Sequence, residues 1–222
     1  MASRYDLIVF DWDGTLMNSE ARIVTCMQYA ARDASQPVPS EAAARDIIGL
    51  GMREAVSSLF PQATEAEVEA LIDAYRVHWL GDSVKPEVLF DGAHALITEL
   101  HAAGLLLAVA TGKSRRGLDK AFDESGLRDY FHTSRCADET FSKPHPQMLE
   151  EILSDLDTSP ERAVVIGDTE YDMQMAANAG VEAVGVAHGV HEVERLRENG
   201  ALQCFGNLFQ LAAWLRELNG NS

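Results

Sequence analysis

Two aspartates separated by one residue stand directly after a short apolar run near the start of the chain. Residues 7–10 predict a buried β-strand, and Asp11 and Asp13 follow it, with Gly14 permitting a sharp turn. The two carboxylates can then face one cavity, where burying like charges together is costly unless a cation or a proton intervenes. A plain Asp/Gly turn is the alternative interpretation, since such turns are common. The position directly after a strand favours a functional site over a plain turn.

A hydroxyl and a glycine end a second apolar run, residues 105–110. The segment 112–114 resembles the end of a nucleotide P-loop, but the leading glycine would fall at Leu107, inside the strand, so a P-loop is excluded. Thr111 and Gly112 instead offer a hydroxyl and free backbone N–H groups at a helix start, which suit an anion. Because cations in a first helical turn oppose the helix dipole, a cluster there indicates an anion more than a solvated face. Four cations follow within eight residues, namely Lys113, Arg115, Arg116 and Lys120.

The third and fourth candidates are a lysine and a second pair of aspartates. Pro144 biases Lys143 toward extended backbone, which can hold its ammonium at a defined point, although a surface lysine before a helix is the alternative. Residues 163–166 predict another buried strand, with Asp168 at its exit and Asp172 one helical turn further on. A helix cap with a first-turn acid is the alternative here, and it explains one aspartate better than two.

Together these groups form a set that phosphoryl transfer can use. In an open α/β sheet, ligands bind at the carboxyl ends of the strands, where all four groups are expected to meet. Oxygen ligands without a histidine or cysteine cluster suit Mg²⁺ rather than zinc. A divalent cation beside a lysine and a hydroxyl can stabilise a transferring phosphoryl group, and a carboxylate can attack it to form an aspartyl-phosphate.

Apolar strands that alternate with helical stretches predict the fold that positions these groups. The pattern is typical of an α/β protein with a doubly wound, Rossmann-like parallel sheet, to which residues 181–187 add a strand. About ninety residues after the first strand carry helical patterns instead, including a capping box from Thr64 to Glu67. We therefore expect an α-helical cap domain at residues 16–88, inserted into a core domain of residues 1–15 and 89–222.

The composition excludes several classes of partner. The 222 residues carry 18 Lys and Arg against 35 Asp and Glu, a formal net charge of −17, which disfavours nucleic acid and anionic membranes. No apolar run is long enough to span a bilayer, and three distant cysteines form neither a metal site nor a disulfide framework. We therefore expect a soluble cytoplasmic protein whose partner is a small phosphorylated metabolite, with no nucleic acid and no membrane.

The motifs and their order resemble those of haloacid dehalogenase (HAD) superfamily phosphatases, in the subgroup that includes phosphoglycolate phosphatases. The resemblance is carried by residues 11–16 (Asp-Trp-Asp-Gly-Thr-Leu), Thr111, Lys143 and residues 167–172 (Gly-Asp-Thr-Glu-Tyr-Asp). It covers nearly the whole chain, including a helical cap between the first motif and the second. It implies a Mg²⁺-dependent phosphatase that hydrolyses small phosphomonoesters, such as phosphoglycolate or a sugar phosphate, through an aspartyl-phosphate.

The resemblance also implies a role for each residue that contacts the substrate. Asp11 is expected to be the nucleophile, while Asp13 protonates the leaving oxygen and then activates water. Thr111 and Lys143 are expected to hold the transferring phosphoryl group, beside the backbone N–H of Gly112.

The same resemblance implies a metal site. Asp11, the backbone carbonyl of Asp13, and Asp168 are expected to bind Mg²⁺, and Asp172 to bind the ion or orient its waters. The true dehalogenases of the superfamily lack an acid at the second position of the first motif, so Asp13 indicates phosphate rather than halide.

Substrate choice is expected to come from the cap. Residues 49–53 (Gly-Leu-Gly-Met-Arg) can form a loop that brings Arg53 to an anionic substrate group, and a helix–helix turn with a surface arginine is the equal alternative. A phosphosugar mutase on the same scaffold is an alternative function. A phospho-accepting signalling receiver is another, but Asp13 would speed hydrolysis of its phosphate, and a receiver has no need of a cap.

Overall fold

The computed structural model describes residues 4–81 and 84–218, and within these the strands and helices alternate through most of the chain. The strands are β1 (Leu7–Phe10), β2 (Met17–Asn18), β3 (Val88–Leu89), β4 (Leu106–Thr111), β5 (Thr133–Cys136), β6 (Ala163–Gly167), β7 (Glu182–Val186) and β8 (Ala201–Phe205). The helices are α1 (Glu20–Asp33), α2 (Glu41–Asp46), α3 (Met52–Leu59), α4 (Glu65–Leu80), α5 (Ala93–Ala102), α6 (Arg115–Ser125), α7 (Gln147–Asp155), α8 (Glu170–Asn178), α9 (Val193–Glu198) and α10 (Leu208–Leu218).

All strands of the main sheet run parallel, in the order β5-β4-β1-β6-β7-β8 among the described residues. The central strand β1 is buried on both faces. Ile8 and Phe10 pack with α5, α6 and α10 on one side, while Leu7 and Val9 pack with α7, α8 and α9 on the other. A parallel sheet covered on both faces needs such continuously apolar strands. The predicted α/β class, with a doubly wound parallel sheet, is therefore confirmed.

The predicted strands agree with the observed ones to within one residue at each end. The two edge strands, β5 and β8, are not predicted, because neither has a continuous apolar run: β5 is polar up to Cys136, and Gln203 interrupts β8. Arg135 in β5 binds Glu151 and Asp155 of the neighbouring helix α7, so its charge is paired at the edge of the sheet. An edge strand has only one neighbour and is partly exposed, so it needs no long apolar run.

The segment between β2 and β3 is helical and has a hydrophobic cluster of its own. Met27 of α1, Val56 of α3, and Leu71 and Ile72 of α4 are buried together in it. The Thr64 capping box forms as predicted at the start of α4. Strands β2 and β3 pair antiparallel, so the chain leaves the sheet and returns to it side by side. The helical segment is thus attached to the sheet through two adjacent strands.

Within residues 4–81 and 84–218, no helix is both long enough and apolar enough to cross a membrane.

Candidate active site

Three neighbouring strands bring the predicted site residues to one edge of the sheet. Asp11 follows β1, Thr111 ends β4, and Asp168 follows β6, and all three side chains are at most 1% exposed. Because β1 lies between β4 and β6 and runs parallel to both, residues distant in sequence meet at one point. This is the edge where open α/β sheets bind ligands.

The turn after β1 directs the two aspartates of the first motif. The side chain of Trp12 is fully buried, and its ring meets those of Phe122 and Phe131 edge-on. With Trp12 held in the core, the alternating side chains of Asp11 and Asp13 extend toward the opposite side of the chain, at the sheet edge. Gly14 has φ +79°, and a Cβ atom there would lie 2.1 Å from Oδ2 of Asp168. Glycine is required because it alone allows this close approach.

Three buried carboxylates meet at this edge. Asp11, Asp168 and Asp172 each offer an oxygen, and these atoms lie within 4.8 Å of one another. Burial raises the pKa of Asp11 to about 7, against the pull of Lys143. Burial, with Asp11 and Asp172 nearby, raises the pKa of Asp168 well above its ordinary value. Like charges this close are tolerated when a cation joins them.

One lysine offsets part of that charge. Nζ of Lys143 lies 2.9 Å from Oδ1 of Asp11 and 2.6 Å from Oδ1 of Asp172, and the side chain is fully buried. Burial alone would lower the pKa of this ammonium, but the two carboxylates raise it, so Lys143 stays charged. When all three carboxylates are ionised, the one ammonium leaves the cluster with a net negative charge.

The remaining charge and an unused oxygen fit a divalent cation. Oδ2 of Asp11 is buried and has no hydrogen-bond partner among the described residues. Oxygen donors of this kind are the ligands that Mg²⁺ prefers. Asp172 is committed differently, since its Oδ2 accepts hydrogen bonds from the backbone N–H and the hydroxyl of Thr169, at 3.1 and 2.7 Å. Its geometry therefore suits the orienting role, with Lys143 on one oxygen and Thr169 on the other.

Two further residues of the site were not identified from the sequence. Nζ of Lys113 lies 2.9 Å from Oδ1 of Asp13 and 3.8 Å from Oε1 of Glu87, and all three side chains are at most 10% exposed. Burial raises the pKa of Glu87. In the sequence Lys113 is one of four clustered cations, and its place two residues after Thr111 is the signal that distinguishes it. Glu87 carries no local sequence signal, because it precedes β3 at the end of the helical segment.

Thr15 is another site residue, and it belongs to the first motif, residues 11–16, although the sequence indicates no role for it. Its hydroxyl donates a hydrogen bond of 2.8 Å to Oδ1 of Asp168. The backbone N–H of Val190 donates to Oδ2 of the same carboxylate at 2.8 Å. These two hydrogen bonds fix the carboxylate of Asp168 between the turn after β1 and the loop after β7.

The loop at residues 49–51 lies over the end of β4. A Cβ atom on Gly112 would lie 2.4 Å from the backbone oxygen of Leu50 and 2.7 Å from that of Gly49. The N–H of Gly51 donates a hydrogen bond of 2.7 Å to Oγ of Ser142, the residue before Lys143. The helical segment therefore meets the rest of the chain at Gly112 and Ser142, which are the sequence neighbours of Thr111 and Lys143.

Arg53 follows this loop but forms no ion pair with Asp11, Asp168 or Asp172. Its guanidinium forms ion pairs with Glu65 and Glu69 on α4, and its side chain is 49% exposed. Arg53 and Asp11 line the same cavity, which lies between the helical segment and the sheet. That cavity has a volume of about 640 Å³.

Comparison with known families agrees with this geometry. Residues 8–186 match the model of the haloacid dehalogenase-like hydrolases, which covers most of the chain and all the carboxylates described above. The chain belongs to this family. As a HAD-like hydrolase it is an enzyme, as the sequence resemblance predicted.

Named relatives span most of the chain. It is 32% identical to the "Probable phosphatase IndB" of Dickeya dadantii, over 86% of this chain and 85% of that protein. It is 28% identical to the phosphoglycolate phosphatase of Vibrio cholerae, over 85% of this chain and 87% of that protein. It is also 32% identical to the tyrosine-protein kinase PtkA of Mycobacterium tuberculosis, spanning 82% of this chain but 62% of that longer protein.

Solved structures share the fold. A predicted phosphatase from Clostridium acetobutylicum superposes with a TM-score of 0.87 at 24% identity, covering 97% of this chain and all of that one. At this identity the likeness concerns the fold, including the helical segment inserted after the first strand.

Gly112→Ala tests whether the contact between loop 49–51 and β4 matters. The new Cβ would collide with the backbone oxygen of Leu50, so the loop must move, and a misplacement of about 1 Å can cost about 10²-fold in rate. We expect kcat/KM to fall by about 10- to 100-fold, measured by steady-state hydrolysis, with the melting temperature little changed.

Gly117→Ala in α6 is the matched control. Its Cβ would meet nothing closer than Oγ of Ser114 at 3.3 Å, and alanine favours a helix. Activity should be retained, and stability should hold or rise. Equal activity in both variants would show that the loop contact is dispensable.

Proposed function

We propose that this hydrolase is a Mg²⁺-dependent phosphatase that hydrolyses small phosphomonoester metabolites through an aspartyl-phosphate. The observation that carries the proposal is the buried cluster of Asp11, Asp168 and Asp172 around the single ammonium of Lys143. The phosphatase names of two relatives support it. Incubating the purified protein and Mg²⁺ with a panel of phosphorylated metabolites, and measuring released phosphate, tests it.

In this proposal Asp11 attacks phosphorus. Its Oδ1 is held by Lys143 and by the backbone N–H of Trp12, at 2.9 and 2.6 Å, which leaves Oδ2 without a partner. A bound Mg²⁺, held by Asp11, Asp168 and the backbone carbonyl of Asp13, would supply charge neutralisation at the transferring phosphoryl group. Covalent capture splits hydrolysis into two displacements at phosphorus, each with an activated nucleophile.

Asp13 serves as the acid and base of this reaction. It protonates the oxygen of the departing alcohol in the first displacement and takes a proton from water in the second. Lys113 holds Oδ1 of Asp13 at 2.9 Å, which leaves Oδ2 to exchange the proton. Lys113 is itself held by Glu87, so the acid/base is positioned from the segment that joins α4 to β3.

The phosphoryl oxygens are held by groups that the fold leaves at the end of β4 and before α7. Thr111 offers a buried hydroxyl, Gly112 offers its backbone N–H, and Lys143 offers a compact ammonium. Donors fixed in advance in a site that excludes water stabilise developing charge without reorganisation.

We further propose that residues 16–88 act as a cap domain on a core of residues 1–15 and 89–222. Loop 49–51 then closes over the phosphoryl site and excludes water during the transfer. Its contacts at Gly112 and Ser142 support this role.

Removal of the metal should abolish activity. Without a divalent cation the three carboxylates lose their counter-charge, so we expect no phosphate release in excess EDTA and full recovery when Mg²⁺ is returned. Ca²⁺ should bind but support little turnover, because its larger and looser coordination mispositions the carboxylate. Undiminished activity after exhaustive chelation would contradict the metal-dependent mechanism.

The two aspartates of the first motif should separate the two steps. Asp11→Asn removes the nucleophile and should abolish turnover, while Asp13→Asn should lose about 10²–10⁴-fold. With an aryl phosphate, whose leaving group needs no acid, Asp13→Asn should accumulate a phosphoenzyme that intact-mass spectrometry detects. Near-normal turnover of the Asp11→Asn protein would assign the nucleophile to another residue.

Lys143 should be required as a compact charge. Lys143→Met removes the ammonium and should lower kcat by about 10²–10³-fold, since it removes a preorganised electrostatic contact. Lys143→Arg should recover little of this loss, because a planar fork does not fit between two carboxylates that hold a single nitrogen. An arginine variant with the wild-type kcat, measured alongside circular dichroism of both variants, would make Lys143 dispensable.

A further inference from the structure

The cavity between the helical segment and the sheet has two chemically different walls. On the sheet side it is lined by the carboxylates of Asp11 and Asp13 and by the polar groups after β4. On the helical side most of the lining side chains are apolar or aromatic, among them Ile23, Met27, Met52, Ile72, Tyr75 and Trp79. Four charged residues of the helical segment, Arg53, Glu54, Glu69 and Arg76, line the cavity as well. A phosphomonoester that presents its phosphoryl group to Asp11 must therefore place its leaving group against the apolar wall.

The apolar wall belongs to the hydrophobic cluster of the helical segment. Met27, Ile72 and Tyr75 are at most 7% exposed and pack in that cluster, so their positions are set by the fold. The rings of Tyr75 and Trp79 stack at an angle of 13° with centroids 5.8 Å apart. A wall of this composition stabilises an apolar ligand by removing its surface from water.

Three of the four lysine and arginine side chains that line the cavity are already in ion pairs. Lys113 binds Asp13 and Glu87, and Arg53 binds Glu65 and Glu69. Arg76 pairs with Asp73 and is largely exposed. Exposed Arg116 is the lining cation that forms no ion pair with any described residue. A second anionic group that does not reach Arg116 would have to break an existing ion pair or remain uncompensated, which is costly.

The volume of the cavity, like its paired cations, favours an uncharged leaving group of some size. About 640 Å³ falls in the range of pockets that bury a drug-sized ligand, far beyond the needs of a two-carbon leaving group. A small, charged alcohol such as glycolate would leave most of the apolar wall in contact with water.

We infer that the physiological substrate is the phosphomonoester of an uncharged alcohol whose body is apolar and at least as large as an aromatic ring. This inference rests on the proposed phosphatase function and adds the chemical class of the leaving group. The apolar body lies against α1, α4 and Met52 at the start of α3, and the ester oxygen points toward Asp13.

The test compares esters that differ in the body and share a primary alkoxide. We expect kcat/KM for 2-phenylethyl phosphate to exceed that for ethyl phosphate by about 10- to 100-fold, as expected for burying one phenyl group. Phosphoglycolate, which adds a carboxylate, should be no better than ethyl phosphate. Equal values for the first two esters, or a preference for phosphoglycolate, would overturn the inference while leaving the phosphatase function intact.

Binding of inert analogues separates the inference from the proposed function. In 3-phenylpropylphosphonate and propylphosphonate the ester oxygen is replaced by CH₂, so their dissociation constants can be measured by calorimetry without turnover. The phenyl compound should bind about 10- to 100-fold more tightly. If Mg²⁺-loaded protein hydrolyses none of the esters, the proposed function is wrong. The ratio of these two constants still decides whether the apolar cavity binds such a body.

A variant of the wall locates the effect. Met52→Gln keeps the length of the side chain but places an amide in the cavity, and it should lower kcat/KM for 2-phenylethyl phosphate by about 3- to 10-fold, with ethyl phosphate unchanged. Val77→Gln on the outer face of α4, where the native side chain is 68% exposed, is the control and should change neither. Equal losses on both esters in a folded Met52→Gln protein would place the phenyl group elsewhere and contradict the assignment.

Discussion

The ammonium of Lys143 between two buried carboxylates is the contact on which the arrangement of the site depends. It joins Asp11, after the central strand, to Asp172, in the first turn of α8, and comes itself from the loop before α7. Each of these charges is too costly to bury alone, so the three elements are stable only when they meet. The same contact leaves Oδ2 of Asp11 free, and the cluster as a whole remains negative. A site that is held together by charge therefore also keeps the capacity to bind a cation and to attack an electrophile.

Asp13, the acid/base group of the proposed mechanism, is held by a different part of the chain. Asp13 meets Lys113 from the end of β4, and Lys113 meets Glu87 from the segment that leads back from the helices to β3. Nζ of Lys113 also lies 4.4 Å from the ring centroid of Trp79, on α4. The position of Asp13 is thus coupled to the helical segment, whereas Asp11 and Asp168 are held within the sheet. A movement of the helical segment would change the surroundings of Asp13 more than those of Asp11.

The two walls of the cavity are subject to different physical constraints. The sheet edge must hold buried charges at fixed distances, and each glycine that allows a close approach there, such as Gly14 or Gly112, admits no larger residue without displacement. The helical wall has only to remain apolar and to leave room, which many side chains can satisfy. In the proposed function, this difference in tolerance is the physical reason why reaction and substrate recognition are assigned to different walls.

Local patterns in the sequence determined the central strands, the parallel α/β class, the helical insertion and the residues at the carboxyl edge. Buried parallel strands need uninterrupted apolar runs, and the turn that carries the buried aspartates needs a glycine nearby. Both features can therefore be recognised within short segments such as residues 7–14. The edge strands β5 and β8 lack this signal, because a strand with one neighbour is partly exposed and needs no continuous apolar run.

The tertiary structure alone decided what depends on pairing across the chain. Glu87 belongs to the site because it meets Lys113, 26 positions away, and nothing in its own neighbourhood indicates this. For Arg53 the sequence leaves a contact with an anionic substrate group and a surface position as equal alternatives, and the fold pairs its guanidinium with Glu65 and Glu69 on the next helix, α4. The partner of a charge is set by which elements pack together, and that is a property of the whole fold.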